Sequence, residues 1–357
     1  MVCPSCGRKN NINDYIDVVE SYKDKITSKK EKRRKRVPIL IYGSTGKENW
    51  VRPFTAKDYY STKPTINTFN IKIVPKKIKW GDLYRSGYHV GIEYLHQFYT
   101  VRNFAVFSRL WDMTYDYSKK VRSALQLWLL SYNQSHSTLM SRVVAKKGQE
   151  DFVLTGAQSG VLYISHLPVE KNILLGLKSK LNIYLTSFAY LNKCSGKVIV
   201  RNASSADILE PDESVDYIFS DPPFGDFIPY SEVNQINELW LDSTTVTNEE
   251  AIISKAQNRG LNDYLAIIEK VFQESKRVLK KDGAATIVFH SSDKNVWNGF
   301  VQVIKESGFS IYRSTLLDKH KIVLFRQCQG AELKKITLCY LKKTTELMLD
   351  LLRLRYL

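Results

Sequence analysis

Several features are scarce in this 357-residue sequence, and each scarcity excludes a class of protein. No apolar run reaches the roughly 18 residues of a membrane-spanning helix. The N-terminal residues, MVCPSCGRKNN, contain no apolar signal region. The cysteines number only 5, an odd and scattered set, which excludes a disulfide framework. We therefore expect a cytoplasmic globular protein.

Acidic residues are also in short supply. Lys and Arg together number 53 against 36 for Asp and Glu, and the formal net charge is +17. An excess of this size attracts polyanions, and phosphate contacts would use it directly. The alternative is a solubilising charge that serves no partner. The length suggests about two domains, and the 43% hydrophobic composition is ordinary for a globular chain.

The chain has a single Cys-x-x-Cys pair, formed by Cys3 and Cys6 in the sequence CPSCG. A tight turn of this kind lets two thiolates face one zinc ion, and a complete tetrahedral site needs two further ligands. Because no second pair exists in the sequence, we expect half a zinc ribbon whose other half lies upstream or on another chain. The alternative is an incidental or redox pair.

The region before residue 196 is divided by its composition. Residues 23–36 carry 9 basic and 2 acidic side chains, which predicts a flexible basic linker that could lie along a phosphate backbone. Residues 1–36 are thus interpreted as half zinc ribbon and linker. Residues 37–195 are interpreted as an inserted α+β region, with helices predicted at 103–117 and 118–131. Its aromatic and basic side chains could recognise nucleic acid, or the aromatics could simply form a core.

Residues 196–318 alternate between strand and helix patterns. Apolar, β-branched runs predict strands at Lys197–Arg201, Ser214–Ser220, Ala284–His290 and Phe309–Ser314. Helical periodicity covers 264–279 and 297–307, and Gly283 is predicted to end the first of these helices. The alternation predicts an α/β fold with a partial Rossmann-like, parallel sheet. Residues 319–357 are predicted to be a divergent tail with a Leu-rich helix at its end.

The second of these strands runs directly into Asp221-Pro222-Pro223-Phe224-Gly225. Ligands of open parallel sheets bind at the carboxyl ends of the strands, so chemistry is expected here. The carboxylate of Asp221 can accept a hydrogen bond from an exocyclic base amine and stabilise positive charge on its nitrogen. Rigid prolines can present a carbonyl as a second acceptor. Phe224 can stack on a flipped-out base, and Gly225 lets the chain turn sharply. The alternative is an ordinary proline-rich turn.

Asp-Pro-Pro-Phe after a strand resembles the Asp-Pro-Pro-Tyr signature of N6-adenine and N4-cytosine DNA methyltransferases. CPSCG, residues 80–103, SVDYIFSDPPFG at 214–225, residues 226–241 and FHSSDKNVW at 289–297 resemble adenine-specific DNA methylases that contain a zinc ribbon. This resemblance covers most of residues 1–318, whereas the tail at 319–357 diverges from the family. It implies a methyltransferase sheet, S-adenosyl-L-methionine as cofactor, DNA as partner and methylation of the N6 amine of adenine.

The resemblance also implies roles for individual residues. The catalytic role falls on Asp221, Pro222, Pro223 and Phe224. Tyr230 and Glu232, in the segment after the motif, would shape the base pocket, or else serve only the local structure. Asn202 follows the first predicted strand and would contact the adenosine of the cofactor, where an acidic residue is more usual.

One element of that family has no counterpart in this sequence. A glycine-containing loop upstream of the zinc ribbon holds the methionine part of the cofactor, and no segment here matches it. We therefore expect weak binding of S-adenosyl-L-methionine by the isolated chain, and activity with a second subunit that carries this loop. Two alternatives stay open: an RNA methyltransferase acting on guanine or adenine amines, and an inactive, nucleic-acid-binding methylase fragment.

Overall fold

The structure, a computed structural model, describes residues 7, 17–59, 74–86, 89–137, 142–145, 152–155, 160–318 and 335–343. The strands of these residues are β1 Val19–Lys23, β2 Lys30–Arg34, β3 Leu40–Thr45, β4 Glu48–Pro53, β5 Arg142–Ala145, β6 Phe152–Thr155, β7 Val215–Ser220, β8 Leu279–Phe289, β9 Phe309–Asp318 and β10 Lys335–Lys343. The helices are α1 Val101–Met113, α2 Lys119–Leu130, α3 Asn133–His136, α4 Ile173–Leu191, α5 Tyr230–Val233, α6 Gln235–Glu238, α7 Leu261–Val278 and α8 Lys294–Glu306. None of these described helices has the length and apolar character needed to cross a membrane.

The chain divides into two compact units. The first contains the described residues of 1–80, 84–195 and 235–243, and the second contains those of 81–83, 196–234 and 244–357. Two short segments belong to a different unit from the residues on either side of them in the sequence. Residues 81–83 belong to the second unit, and residues 235–243 belong to the first.

Aromatic side chains form the core of the first unit. Trp240 packs edge to face against Phe107, with ring centroids 4.7 Å apart, and its indole N–H donates to the hydroxyl of Tyr99 at 3.1 Å. All three side chains are buried. The predicted helices at 103–117 and 118–131 are present as α1 and α2, and α1 begins after Thr100, whose side chain accepts a hydrogen bond from the Asn103 N–H.

The basic stretch at residues 23–36 is not a flexible linker. Most of it lies in an antiparallel hairpin, in which β1 pairs with β2 from Val19–Arg34 to Lys23–Lys30. The reason is an internal anchor that composition does not reveal. The Asp24 carboxylate accepts hydrogen bonds from the N–H groups of Ile26 and Thr27, at 2.7 and 3.1 Å, and so closes the turn.

The second unit is built on a four-stranded mixed sheet of order β7-β8-β10-β9. Strands β7 and β8 are parallel and are connected through α7, which makes one βαβ unit and a partial Rossmann-like α/β sheet. Strand β10 is antiparallel to both of its neighbours, β8 and β9. Phe300 of α8 stacks on Phe289 of β8 with ring centroids 3.7 Å apart, at the centre of the core.

Two expectations for this unit are wrong. Lys197–Arg201 is not a strand: Val198, Ile199 and Val200 are exposed, because no strand of the described residues lies beside them. Gly283 does not end α7, which ends at Val278; it lies within β8, at a register shift against β7. A side chain there would crowd Leu279 and the Asp216 carbonyl.

Part of the predicted tail lies in the sheet, because residues 335–343 form β10 in its interior, with Cys339 and Leu341 buried. The alternation of side chains across a strand explains this burial. The divergence of residues 319–357 from the family stays a prediction. The Leu-rich helix predicted at the end of the chain lies outside the described residues.

Candidate active site at the carboxyl end of the parallel strands

The Asp-Pro-Pro-Phe motif lies at the carboxyl end of β7, where the sequence predicts it. Ser220, the last residue of β7, pairs with Ile287, so the parallel partner β8 ends two residues later at Phe289. The residues that follow the two strands, Asp221 and His290, therefore leave the sheet at the same edge. This is the edge at which open α/β sheets bind their ligands.

The backbone of the motif makes a sharp turn at Gly225. Its φ of +70° lies in the left-handed region, which side chains disfavour. A Cβ at this position would also lie 3.3 Å from Ile253 Cδ1 and 3.4 Å from Val296 Cγ1. The carbonyl of Gly225 accepts a hydrogen bond from the Ile253 N–H at 3.3 Å. The backbone geometry therefore favours glycine here, and the surrounding side chains leave little room for a larger residue.

The second proline is secured by a tyrosine from α7. The hydroxyl of Tyr264 donates a 2.7 Å hydrogen bond to the carbonyl oxygen of Pro223. Tyr264 is fully buried, and Pro222 is buried as well. Burial raises the pKa of Tyr264 well above its usual range, so the hydroxyl stays a donor. The Pro223 carbonyl therefore already accepts one hydrogen bond from within the protein.

Phe224 is half-buried and is held edge to face against Phe289, with ring centroids 5.4 Å apart and an interplanar angle of 84°. His290 approaches the same ring at 6.5 Å, also edge to face. This packing fixes the Phe224 ring while part of it stays accessible. Sequence reasoning did not single out His290 as a site residue, although its position directly after a strand was a usable signal.

The phenol of Tyr230 lies within the electrostatic influence of the Asp221 carboxylate. Asp221 is exposed, and Tyr230 is 45% exposed. The pKa of Tyr230 is raised, first by the burial of the rest of its side chain and then by the negative charge of Asp221. The structure therefore brings these two predicted site residues into one electrostatic environment. The contribution of Tyr230 to a base pocket stays a prediction.

Glu232 has a defined role in the local structure. Its carboxylate is buried and accepts hydrogen bonds from the N–H groups of Gly81, Asp82 and Leu83, at 2.9, 2.6 and 3.0 Å. Burial raises the pKa of Glu232, and the three backbone donors act in the opposite direction. Glu232 therefore holds the 81–83 segment in the second unit, and its participation in a base pocket stays a prediction.

A second contact secures the 81–83 segment. The Asp82 carboxylate accepts a hydrogen bond from the Ser254 hydroxyl and another from the Ala256 N–H at 3.1 Å. Together with Glu232, these contacts connect α5, the segment 81–83 and the segment 254–256. Sequence reasoning missed this arrangement, because the partners are separated by about 150 residues or more in the chain.

The remaining predicted site residues are Asn202, Cys3 and Cys6, and their roles stay predictions. Asn202 is exposed and lies in the coil before β7. Cys3 and Cys6 lie outside the described residues, so the predicted zinc site stays a prediction; among the residues that are described, no cluster of metal ligands occurs.

The described residues do not supply every feature that a site for S-adenosyl-L-methionine would need. The Asp221 carboxylate and the Phe224 ring suit a base, but the coil from 196 to 214 contains a single glycine, Gly196. A glycine-rich turn, whose backbone can approach the cofactor closely, is therefore not provided by the coil that precedes β7. The described residues fit the substrate side of a methyl-transfer site better than the cofactor side.

Comparisons with known proteins add little to this geometry. No family model matches the sequence, and no curated protein matches it. One similar solved structure is a protein from Thermus thermophilus described as a DNA modification methylase, with 13% identity, a TM-score of 0.24, and coverage of 38% of this chain and 47% of that chain. Another is a SAM-dependent methyltransferase from Leishmania major, with 13% identity, a TM-score of 0.21, and coverage of 39% and 43%.

These similarities are limited in extent. The chain spans less than half the length of both solved structures. With TM-scores this low, the superpositions establish neither a family nor an activity.

Proposed function

We propose that this chain carries the catalytic motif of an S-adenosyl-L-methionine-dependent methyltransferase that acts on an exocyclic base amine, N6 of adenine in DNA. The observation that supports this most directly is the position of Asp221-Pro222-Pro223-Phe224 at the carboxyl end of a parallel strand. A carboxylate, two rigid prolines and an aromatic ring in this order resemble the signature of the amino-methylating DNA methyltransferases. The net charge of +17 also suits a polyanionic substrate.

The chemistry assigned to the motif follows from the weakness of the nucleophile. The lone pair of an exocyclic base amine is delocalised into the ring, and the nitrogen gains positive charge as it is methylated. The Asp221 carboxylate accepts a hydrogen bond from that amine and stabilises the developing charge. The Pro222 carbonyl is proposed as the second acceptor, since the carbonyl of Pro223 already accepts a hydrogen bond from Tyr264. The cofactor, when bound, supplies an electrophilic methyl group.

The ring of Phe224 is proposed to stack on the flipped-out base. Enzymes that modify a base amine take the base out of the stack and hold it by ring stacking and hydrogen bonds. Phe224 has the aromatic surface for stacking, and its contacts with Phe289 and His290 keep the ring in position. Tyr230, which responds to the charge of Asp221, would line the same pocket.

We further propose that a second subunit completes the cofactor side of the site. Among the described strands, β7 is at the edge of its sheet, and only β8 pairs with it. Tyr217 and Phe219 of this edge strand are 54% and 64% exposed. An unpaired edge with exposed aromatics is a ready template for strand addition. A partner that adds a strand here would be able to bring a glycine-rich loop to the carboxyl edge.

The test is the transfer of a tritiated methyl group from S-adenosyl-L-methionine to duplex DNA and, in parallel, to RNA. The full chain is assayed alone and after co-expression with the products of adjacent reading frames. We expect label in N6-methyladenine of DNA. Asp221→Asn should reduce the rate by about 100-fold or more, as loss of a transition-state hydrogen bond does. Asp226→Asn, which changes an exposed carboxylate five residues later, should retain the rate.

The outcomes separate the alternatives. Equal rates for Asp221→Asn and the wild-type chain would refute the catalytic assignment. Label in RNA alone would favour the RNA methyltransferase. Binding of DNA by wild type and by Asp221→Ala, without transfer under any condition, would favour the inactive fragment.

A further inference from the structure

The two faces of the hairpin formed by β1 and β2 differ in charge. Side chains alternate between the faces of a strand, and on one face of this hairpin Lys23, Lys30 and Lys32 are exposed. The register places Lys23 directly opposite Lys30, and Lys32 opposite Ser21. None of the three lysines forms an ion pair with a described residue. We call these three residues the lysine face.

The carboxylates of Glu20 and Glu31 form contacts away from the lysine face. Glu20 pairs with Arg33 at 2.8 Å, and Arg33 also lies over the Tyr22 ring, 4.2 Å from its centroid. Glu31 accepts a hydrogen bond from the Thr27 hydroxyl at 2.8 Å. Because these carboxylates are engaged on the opposite side, the positive charge of the lysine face is not neutralised within the hairpin.

The hairpin that carries the lysine face is packed against residues 91–97 of the first unit. His96 Nε2 lies 2.7 Å from the Asp24 carboxylate at the end of β1, and both side chains are buried. Gln97, next to His96, contacts Glu31 and Asp24. Gly91, with φ of +75°, packs so closely on β2 that a Cβ there would overlap the Lys32 carbonyl. The hairpin is therefore fixed to the first unit, which limits the entropy lost when its lysines bind a ligand.

The arrangement of the lysines has a cost in the free protein. Like charges directly opposite each other on neighbouring strands are destabilising, and Lys23 and Lys30 form such a pair. A polyanion would offset this repulsion. Side chains two residues apart on a strand, such as those of Lys30 and Lys32, are about 6.6 Å apart, so one extended polyanion can contact both.

We propose that the lysine face of the hairpin is a binding site for the phosphate backbone of a nucleic acid. The choice of a nucleic acid as ligand rests on the proposed function, whereas the site itself rests on the hairpin geometry. The site contributes affinity and orientation and carries no sequence information, because phosphates are the same at every base. DNA and RNA backbones share this chemistry, and the experiment below distinguishes them.

The experiment measures binding of the full chain to a fluorescent duplex DNA and to an RNA of the same length, between about 50 and 200 mM salt. The test variant is Lys23→Gln/Lys30→Gln/Lys32→Gln. The matched control, Lys119→Gln/Lys120→Gln/Lys193→Gln, removes the same net charge from exposed positions outside the hairpin. Tighter binding of the wild-type chain to the DNA would identify DNA as the ligand, and tighter binding to the RNA would identify RNA.

We expect the test variant to bind on the order of 100-fold more weakly near 0.15 M salt, and its salt slope to fall by about 2.7, because three phosphate contacts are lost. The control should change little. The test variant should unfold at an equal or higher temperature, because the repulsion between Lys23 and Lys30 is removed. Equal losses in both variants, or wild-type affinity in the test variant, would overturn the proposal. So would tighter binding to phosphatidylserine vesicles than to either nucleic acid.

The proposed function and this site can fail separately. If binding depends on the lysine face but the chain transfers no methyl group with any partner, the site is supported and the proposed function is refuted. Methyl transfer that is abolished by Asp221→Asn, together with unchanged binding by the lysine variant, would support the function and remove the site.

Discussion

The Tyr264 hydroxyl donates a 2.7 Å hydrogen bond to the Pro223 carbonyl, and thereby joins the motif to the helix that connects β7 with β8. Tyr264 is fully buried, and the two residues are 41 positions apart in the chain. The turn that carries Asp221 is therefore positioned by the fold as well as by its own prolines.

Tyr264→Phe should destabilise the protein by about 1–3 kcal/mol, because it leaves a carbonyl without its donor in a buried position. Methyl transfer should fall more than nucleic-acid affinity. Urea unfolding and initial rates measure the two effects. Tyr99→Phe is the control, since it also loses a buried hydroxyl hydrogen bond, to Asn133, but not one to the motif. Equal loss of transfer in both variants would argue against a positioning role for Tyr264.

Gly225→Ala should destabilise the protein and slow methyl transfer, and Gly46→Ala should only destabilise it. Both glycines have positive φ, +70° and +61°, so both alanines incur a backbone penalty of about 1–2 kcal/mol. At Gly225 the added methyl group also meets Ile253 and Val296, whereas nothing lies within 4 Å at Gly46. Thermal unfolding and transfer rates distinguish the two. A transfer defect of the same size in Gly46→Ala would show that the effect is not local.

Glu232→Ala should lower the free energy of unfolding by about 3 kcal/mol, since three backbone N–H groups lose their acceptor. Limited proteolysis should then cut at residues 81–83, which the carboxylate holds in place. Glu249→Ala, at an exposed position, is the matched control and should be near neutral. Resistance of residues 81–83 to protease in the Glu232 variant would contradict this account.

The Asp24–His96 pair should make the protein sensitive to acid. Burial alone would raise the pKa of Asp24, but hydrogen bonds from His96, Ile26 and Thr27 outweigh it and lower the pKa to about 2, from 3.8. A carboxyl group whose pKa is depressed in the folded state contributes stability above its unfolded pKa, and this contribution is lost as the pH falls through the folded value. About 2 kcal/mol should therefore disappear between pH 4 and pH 2.

Urea unfolding at about pH 6 and about pH 2 measures this loss. Asp24→Asn has no carboxylate to protonate, so its stability should vary less over the same range. A pH dependence identical to that of the wild-type chain would mean that other carboxylates dominate acid unfolding.

Elements with a strong local period were predictable. The helices α1, α2, α7 and α8 and the strands β7 and β8 follow from apolar spacing over short windows. The Asp221–Phe224 motif was predictable for the same reason, because it directly follows an apolar strand. Lys197–Arg201 has equally good strand composition, yet it is exposed coil, since a strand also needs a neighbour to pair with.

The sequence by itself determined the chemistry: a carboxylate, two prolines and a ring at the end of a strand, within a strongly basic chain. Only the tertiary structure decided which groups support that chemistry. The contacts of Tyr264 with Pro223 and of Glu232 with residues 81–83, and the place of β10 inside the sheet, all join segments that are distant in the chain. Local patterns set the preferences of a segment, but long-range contacts depend on how the whole chain folds, and no short window of sequence contains that information.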